Sequence, residues 1–84
     1  MQRPVAASFG SVLRESRQAA GISQEELASQ AGLHRTYVSL MERGHRAPSI
    51  EVIWRLAAAL GSTMAELIAD TERALAQGTK EDGR

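Results

Sequence analysis

Residues 23–44 read SQEELASQAGLHRTYVSLMERG, and how this stretch is cut decides the fold. Ser23 is followed three residues later by Glu26, the spacing of a capping box, in which the hydroxyl and the carboxylate each satisfy a backbone N–H that the first helical turn leaves open. Ile22 and Leu27 flank this start as a hydrophobic staple. Leu27, Ala28 and Ala31 supply an inward stripe, and Gly32 closes the helix after two turns. Leu33 then leads into a second short helix that begins at His34 or Arg35, runs to about Arg43 and stops at Gly44. Two short helices crossing steeply over so tight a connection form a helix-turn-helix unit.

The flanking sequence has the same punctuation. A first helix is expected from about Ser8, burying Phe9, Val12, Leu13, Ser16 and Ala20 and ending at Gly21. Pro48 and Ser49 set up a fourth, with Ser49 as its cap and Gly61 as its stop. Its stripe reads Ile50, Ile53, Ala57 and Leu60, flanked by Trp54 and Leu56. Thr63 and Glu66 make a second capping box for a fifth helix that buries Met64, Leu67 and Ile68 and extends as far as Leu75. No strand alternation appears. The expected fold is all-α, five short helices around one core, with residues 1–7 as an N-terminal arm, 8–76 as the domain and 77–84 (the end reading GTKEDGR) as a disordered polar tail.

Composition narrows the function. Eighty-four residues make one small domain, and without cysteine it has neither disulfides nor a thiolate metal site. His34 and His45 lack spaced ligand partners, so no metal and no cofactor is expected. No apolar run approaches the roughly 18 residues of a membrane span, and the start MQRPVAAS has no apolar signal region. A cytoplasmic protein with no membrane partner is expected. No Ser/His/Asp arrangement, phosphate-cradling glycine loop or paired acids near a histidine supports an enzyme.

The net charge of +0 is the wrong summary. Residues 1–62 carry seven Arg against five Glu, whereas residues 63–84 carry three basic and five acidic groups. Arg35, Arg43 and Arg46 crowd around Glu42 as the only acid, and a local field of that sign suits phosphate. At about 100° per residue with Arg35 at zero, Val38 and Met41 face inward with Tyr37 and Glu42 at the edges, and Arg35, Thr36, Ser39, Leu40 and Arg43 face outward. The outward set has the chemistry of groove reading. Arg forks onto guanine, Thr and Ser donate or accept, and an aliphatic side chain packs on a thymine methyl. Glu42, on the inner edge, needs a partner if buried. Arg17, four residues after Leu13 on the flank of the first helix's stripe, is the one at hand.

The run GISQEELASQAGLHRTYVSLMERGHRAPSIEVIWRLAAALG resembles the lambda repressor-like (XRE or Cro-type) helix-turn-helix family of bacterial and phage transcription regulators. The likeness covers about residues 8–70, and the combination of SQEELA, AGL, RTYVS, ERG, PS and ALG carries it. The resemblance implies that Gln24 binds a DNA phosphate. It implies that Arg35, Thr36, Ser39 and Leu40 face bases, and that Arg43, His45 and Arg46 hold the backbone. The family also often pairs an Arg of helix 1 with the Glu of the ERG-like motif, which agrees with Arg17 and Glu42. His34 and Leu40 depart from the family pattern. His34 stands where Ser or Thr caps helix 3, a poor cap that could still donate to phosphate. Leu40 stands where Arg or Gln is frequent, so preference at that base pair is expected to be weak or methyl-directed. Tyr37 completes the phosphate-side set.

The expectation is a sequence-specific regulator that binds a palindromic site on double-stranded DNA as a homodimer, with helix 3 in the major groove. Trp54, Ile68 and Leu75 are the candidates for the dimer surface, with core filling as the competing role for Trp54. With no room for a sensor domain, no small-molecule effector is expected. A restriction–modification controller, a phage-type repressor and an antitoxin all suit the pattern. A protein–protein module that has lost DNA binding is the alternative from another class, favoured only by Leu40.

Overall fold

The computed structural model describes residues 4–82, with side chains through residue 77. Five helices follow one another: α1 Pro4–Ala20, α2 Gln24–Ala31, α3 Arg35–Glu42, α4 Ile50–Leu60 and α5 Met64–Asp82. Phe9, Val12 and Leu13 of α1, Leu27 and Ala28 of α2, Val38 and Met41 of α3, Val52, Ile53 and Leu56 of α4 and Leu67 of α5 make a single core. All five helices contribute to it.

The caps lie where the sequence puts them. Ser23 accepts from the Glu26 N–H at 3.0 Å while Glu26 accepts from the Ser23 N–H at 2.8 Å. Thr63 and Glu66 repeat the exchange, both at 3.1 Å. Ser49 caps α4 by accepting from the Val52 N–H. His34 occupies the cap position of α3 without a side-chain cap bond, as expected of an imidazole there.

The ends of the chain differ from the reading. α1 starts at Pro4 rather than near Ser8, so residues 4–7 of the expected arm are helical. A proline is well suited to the first helical turn, where its missing N–H has no partner to lose, and Ala6 is buried. Residues 1–3 of that arm lie outside the described residues. α5 runs on through Asp82 across most of the stretch read as a disordered tail. The sequence there has no proline, and one interior glycine costs only about 1 kcal/mol relative to alanine.

Helix phase accounts for the other differences. Ile50 does not join the core stripe of α4; it is 70% exposed, while Val52 and Leu56 turn inward. The inward arc is centred between Leu56 and Leu60, which swings Ile50 and Trp54 past its edge. On α5, Ile68 is 39% exposed and Thr71 takes the buried position, its hydroxyl donating to the Leu67 carbonyl at 2.8 Å. Ser16 is half-buried and Ala20 exposed.

Two glycines let α1 meet the end of α3. A Cβ on Gly10 would collide with the Met41 carbonyl and lie 2.8 Å from that of Glu42. Gly44 has φ +77°, and a Cβ there would lie 3.0 Å from the Ala7 Cα. The backbones of α1 and of the turn after α3 are therefore in direct contact. That contact fixes where α3 and its following loop stand.

Candidate nucleic-acid interface

α3 is anchored by Val38 and Met41, both fully buried, and Tyr37 packs against the core from the edge. This leaves Arg35 and Thr36 exposed in its first turn and Ser39 and Leu40 half-buried in its second. Leu40 is thus a half-buried apolar side chain beside the exposed pair. Of the four residues expected to read bases, the first pair projects into solvent and the second lines its base.

Glu42 closes the helix from beneath. Its side chain is 2% exposed and is held by Arg17, whose Nε donates to Oε2 at 2.6 Å and whose Nη2 donates to Oε1 at 3.1 Å. Arg17 also donates through Nη1 to the Ile22 carbonyl at 2.9 Å, in the link between α1 and α2. The hydrogen-bonded carboxylate raises the Arg17 pKa above its ordinary value, so the guanidinium stays charged. A paired, fork-to-fork contact of this kind is directional as well as strong.

A third partner was not legible in the sequence. The Gln24 Nε2 donates to Glu42 Oε1 at 3.0 Å. One carboxylate thereby ties α1, the first turn of α2 and the end of α3. An amide nitrogen has two hydrogens, and the bond to Glu42 uses one, leaving the other for a ligand. The only signal was the coincidence of a buried acid with a polar residue at the start of α2.

The loop after α3 carries Arg43, His45 and Arg46, all exposed. Arg43 donates weakly to the Ser39 carbonyl at 3.4 Å. The Arg46 guanidinium lies 5.4 Å from the Tyr37 ring centroid, a cation–π stack that holds the loop's last cation against α3. Tyr37 is therefore half-buried, with Arg46 over the face of its ring. The residues expected at the phosphates, Gln24, His34, Tyr37, Arg43, His45 and Arg46, all belong to α3 or to the segments at its two ends, except Gln24, which joins them through Glu42.

The other side of the molecule has a different character. Arg73 pairs there with Asp70, while Arg55 pairs with Glu51 at 3.3 Å and also donates at 3.5 Å to the Gly32 carbonyl, in the turn before α3. Trp54 is 59% exposed, which rules out core filling, and Leu75 is half-buried. Trp54 borders a groove with Ala58, Met64 and Ala65, and Ile68 borders an apolar depression with Val5, Pro48 and Ile53. The exposed Ile50 and Val5 extend this apolar surface beyond the residues singled out from the sequence. No single helix among the described residues is long and apolar enough to cross a membrane.

The helix-turn-helix family model matches residues 13–67. The HTH-type transcriptional regulator y4dJ of Sinorhizobium fredii is 35% identical over 72 residues, 86% of this chain and 88% of that protein. Control protein C.MunI from a Mycoplasma species is 39% identical over 66 residues, 77% of this chain and 89% of its own. Among solved structures, the restriction-modification controller protein C.AhdI from Aeromonas hydrophila superposes with a TM-score of 0.72 at 48% identity, covering 74% of this chain and 94% of that one. A match over this span, on helices whose caps, turn and polar node are those just described, means that the chain belongs to the lambda repressor-like helix-turn-helix family of transcriptional regulators.

Proposed function

We propose that this protein is a sequence-specific, DNA-binding transcriptional regulator that docks α3 in the major groove and binds a palindromic operator as a homodimer. The observation that carries the reading is the setting of Arg35 and Thr36. They project from the first turn of a helix whose other face is locked into the core, and whose last residue, Glu42, is bonded to Gln24 and leads into the cationic loop. Recognition helices of this class enter the groove by that end. Arg35 supplies the fork for guanine and Thr36 a hydroxyl that adapts to either strand. Leu40 offers methyl contact at the base of the pair.

Gln24, His34, Tyr37, Arg43, His45 and Arg46 position the helix on phosphates, with the Tyr37 ring also holding Arg46 in place. One such module buries only about 600–1,000 Å² of its own surface on DNA, and two copies one turn apart, about 34 Å, give a tight palindromic site. Trp54, Ile68 and Leu75, with Ile50, provide the apolar surface for the second copy. The likeness to C.MunI and C.AhdI favours a controller of restriction–modification genes over a phage-type repressor or an antitoxin. A cytoplasmic regulator without enzymatic activity, cofactor or small-molecule effector is the corresponding whole.

Selection of bound sites from random duplex DNA tests this. The expected product is a palindrome whose affinity falls steeply with salt. Recovery of no preferred sequence removes the specific-regulator reading, and a strict monomer at micromolar concentration that still binds a palindrome tightly removes the dimer.

A further inference from the structure

We propose that Arg14 of α1 is a phosphate contact that widens the DNA footprint beyond the helix-turn-helix unit. The inference rests on the DNA-binding reading above and adds to it a residue outside both of its helices. Taking Gly10 as zero at about 100° per residue, Ala7 lies near 60°, Arg14 near 40° and Arg17 near 340°. Three of these four have neighbours that fix their direction. Ala7 meets Gly44, Gly10 meets the carbonyls of Met41 and Glu42, and Arg17 meets Glu42. Arg14 shares their face one turn beyond Gly10, on the side away from Gly44, so it stands on the part of α1 that faces α3.

The charge environment of Arg14 is that of a ligand-facing group. It is exposed, and among the described residues it has no hydrogen bond or ion pair. Its helical neighbours at three and four residues are Gly10, Ser11, Arg17 and Gln18, none of them acidic, so no pairing along the helix is open to it. It does not cap the open carbonyls at the end of α3 either. Glu15, next in sequence, lines the groove between α1 and α5 with Asp70 and Arg73, away from α3. Away from α3, on α5, Arg73 is paired with Asp70, and Arg55, which donates to the Gly32 carbonyl in the turn before α3, is paired with Glu51. Arg14 and Arg35 have no acidic partner among the described residues, and Arg43 and Arg46 have only a carbonyl and a ring. These four cations border α3. A guanidinium left without an acid at the edge of such a surface is suited to a phosphate flanking the bases that α3 reads.

The test is a salt titration of binding to two duplexes, one selected from a random pool and one of random sequence. Replacing Arg14 by Ala is expected to weaken both by the same factor and to reduce the slope of log affinity against log salt by about 0.9. Between about 50 and 200 mM salt, wild type then loses roughly threefold more affinity than the variant. Arg14→Lys restores the slope, Arg73→Ala leaves it at the wild-type value, and thermal melting of each variant is unchanged. An Arg14→Ala protein with the wild-type slope overturns the assignment while leaving the DNA-binding reading intact. A wild-type protein without salt-dependent binding overturns both. A loss confined to the selected duplex overturns the phosphate assignment, since it marks a contact to a base.

Discussion

Around α3 one buried carboxylate, Glu42, holds Arg17 of α1 and Gln24 of α2 by directional bonds, whereas α4 and α5 meet through Val52, Ile53, Leu56 and Leu67 and leave Ile50, Trp54 and Ile68 in solvent. The polar joint fixes angles and positions. An apolar joint fixes volume and tolerates sliding and repacking. The first suits a surface that must meet phosphates at set spacings, and the second suits one that meets a copy of itself. The charges differ too: among the described residues Arg14, Arg35, Arg43 and Arg46 have no acidic partner, whereas Arg73 on α5 pairs with Asp70.

The sharpest way to break this contrast is at Glu42. Glu42→Ala strands Arg17 in a mostly buried site and is expected to cost about 3–5 kcal/mol in urea unfolding. Replacing Arg17 by Met and Glu42 by Leu together is expected to recover most of that loss, because no charge is left unpaired. A loss under about 0.5 kcal/mol for Glu42→Ala would reduce the joint to a surface ion pair.

At the opposite surface, Trp54→Ala is expected to weaken self-association by about 2 kcal/mol or more, the scale of a central aromatic anchor. Unfolding of the monomer should change by no more than about 0.5 kcal/mol, since Trp54 is largely exposed. Sedimentation at several concentrations measures the first quantity, and an unchanged association constant moves the interface off α4.

Arg35→Ala is expected to cost about 1–3 kcal/mol at one base pair per half-site, with the rest of the preferred sequence kept. Gln24→Ala, by contrast, should weaken all duplexes alike. Competition against single-base variants of the selected site separates the two behaviours. Unchanged specificity after Arg35→Ala would transfer the reading role to Thr36 or Leu40.

The smallest effect lies at the start of α5. The Ser62 hydroxyl and the Thr63 N–H donate to Glu66 and lower its carboxyl pKa. A group whose folded pKa is lowered stabilises the fold above its unfolded value, and the contribution is lost as pH falls through the folded value. Glu66→Gln is therefore expected to flatten stability against pH below the ordinary carboxylate range. A matching acid slope in both proteins would dissolve that capping bond.

Most of the fold was legible because its boundaries are written in local chemistry. Ser23, Ser49 and Thr63 cap helices in a way that depends on three or four neighbouring residues. The pairing of Arg17 with Glu42 was legible too, since an acid on a helix's inner edge requires a cation. What escaped depends on tertiary phase. Ile50 and Val52 differ by a rotation that only the packing of α4 against its neighbours sets. The bond from Gln24 to Glu42 and the stack of Arg46 on Tyr37 join residues brought together by turns. Nothing at their own positions announces a partner.

The chain has one tryptophan and one tyrosine, and the fold assigns them to separate surfaces. Tyr37 lies beneath Arg46 on α3, while Trp54 stands in solvent on α4. The protein thus carries two intrinsic optical reporters with no engineered label. Tryptophan emission excited at the red edge, where tyrosine does not absorb, is expected to shift if a second copy covers α4. Dilution can then be followed in one unmodified sample.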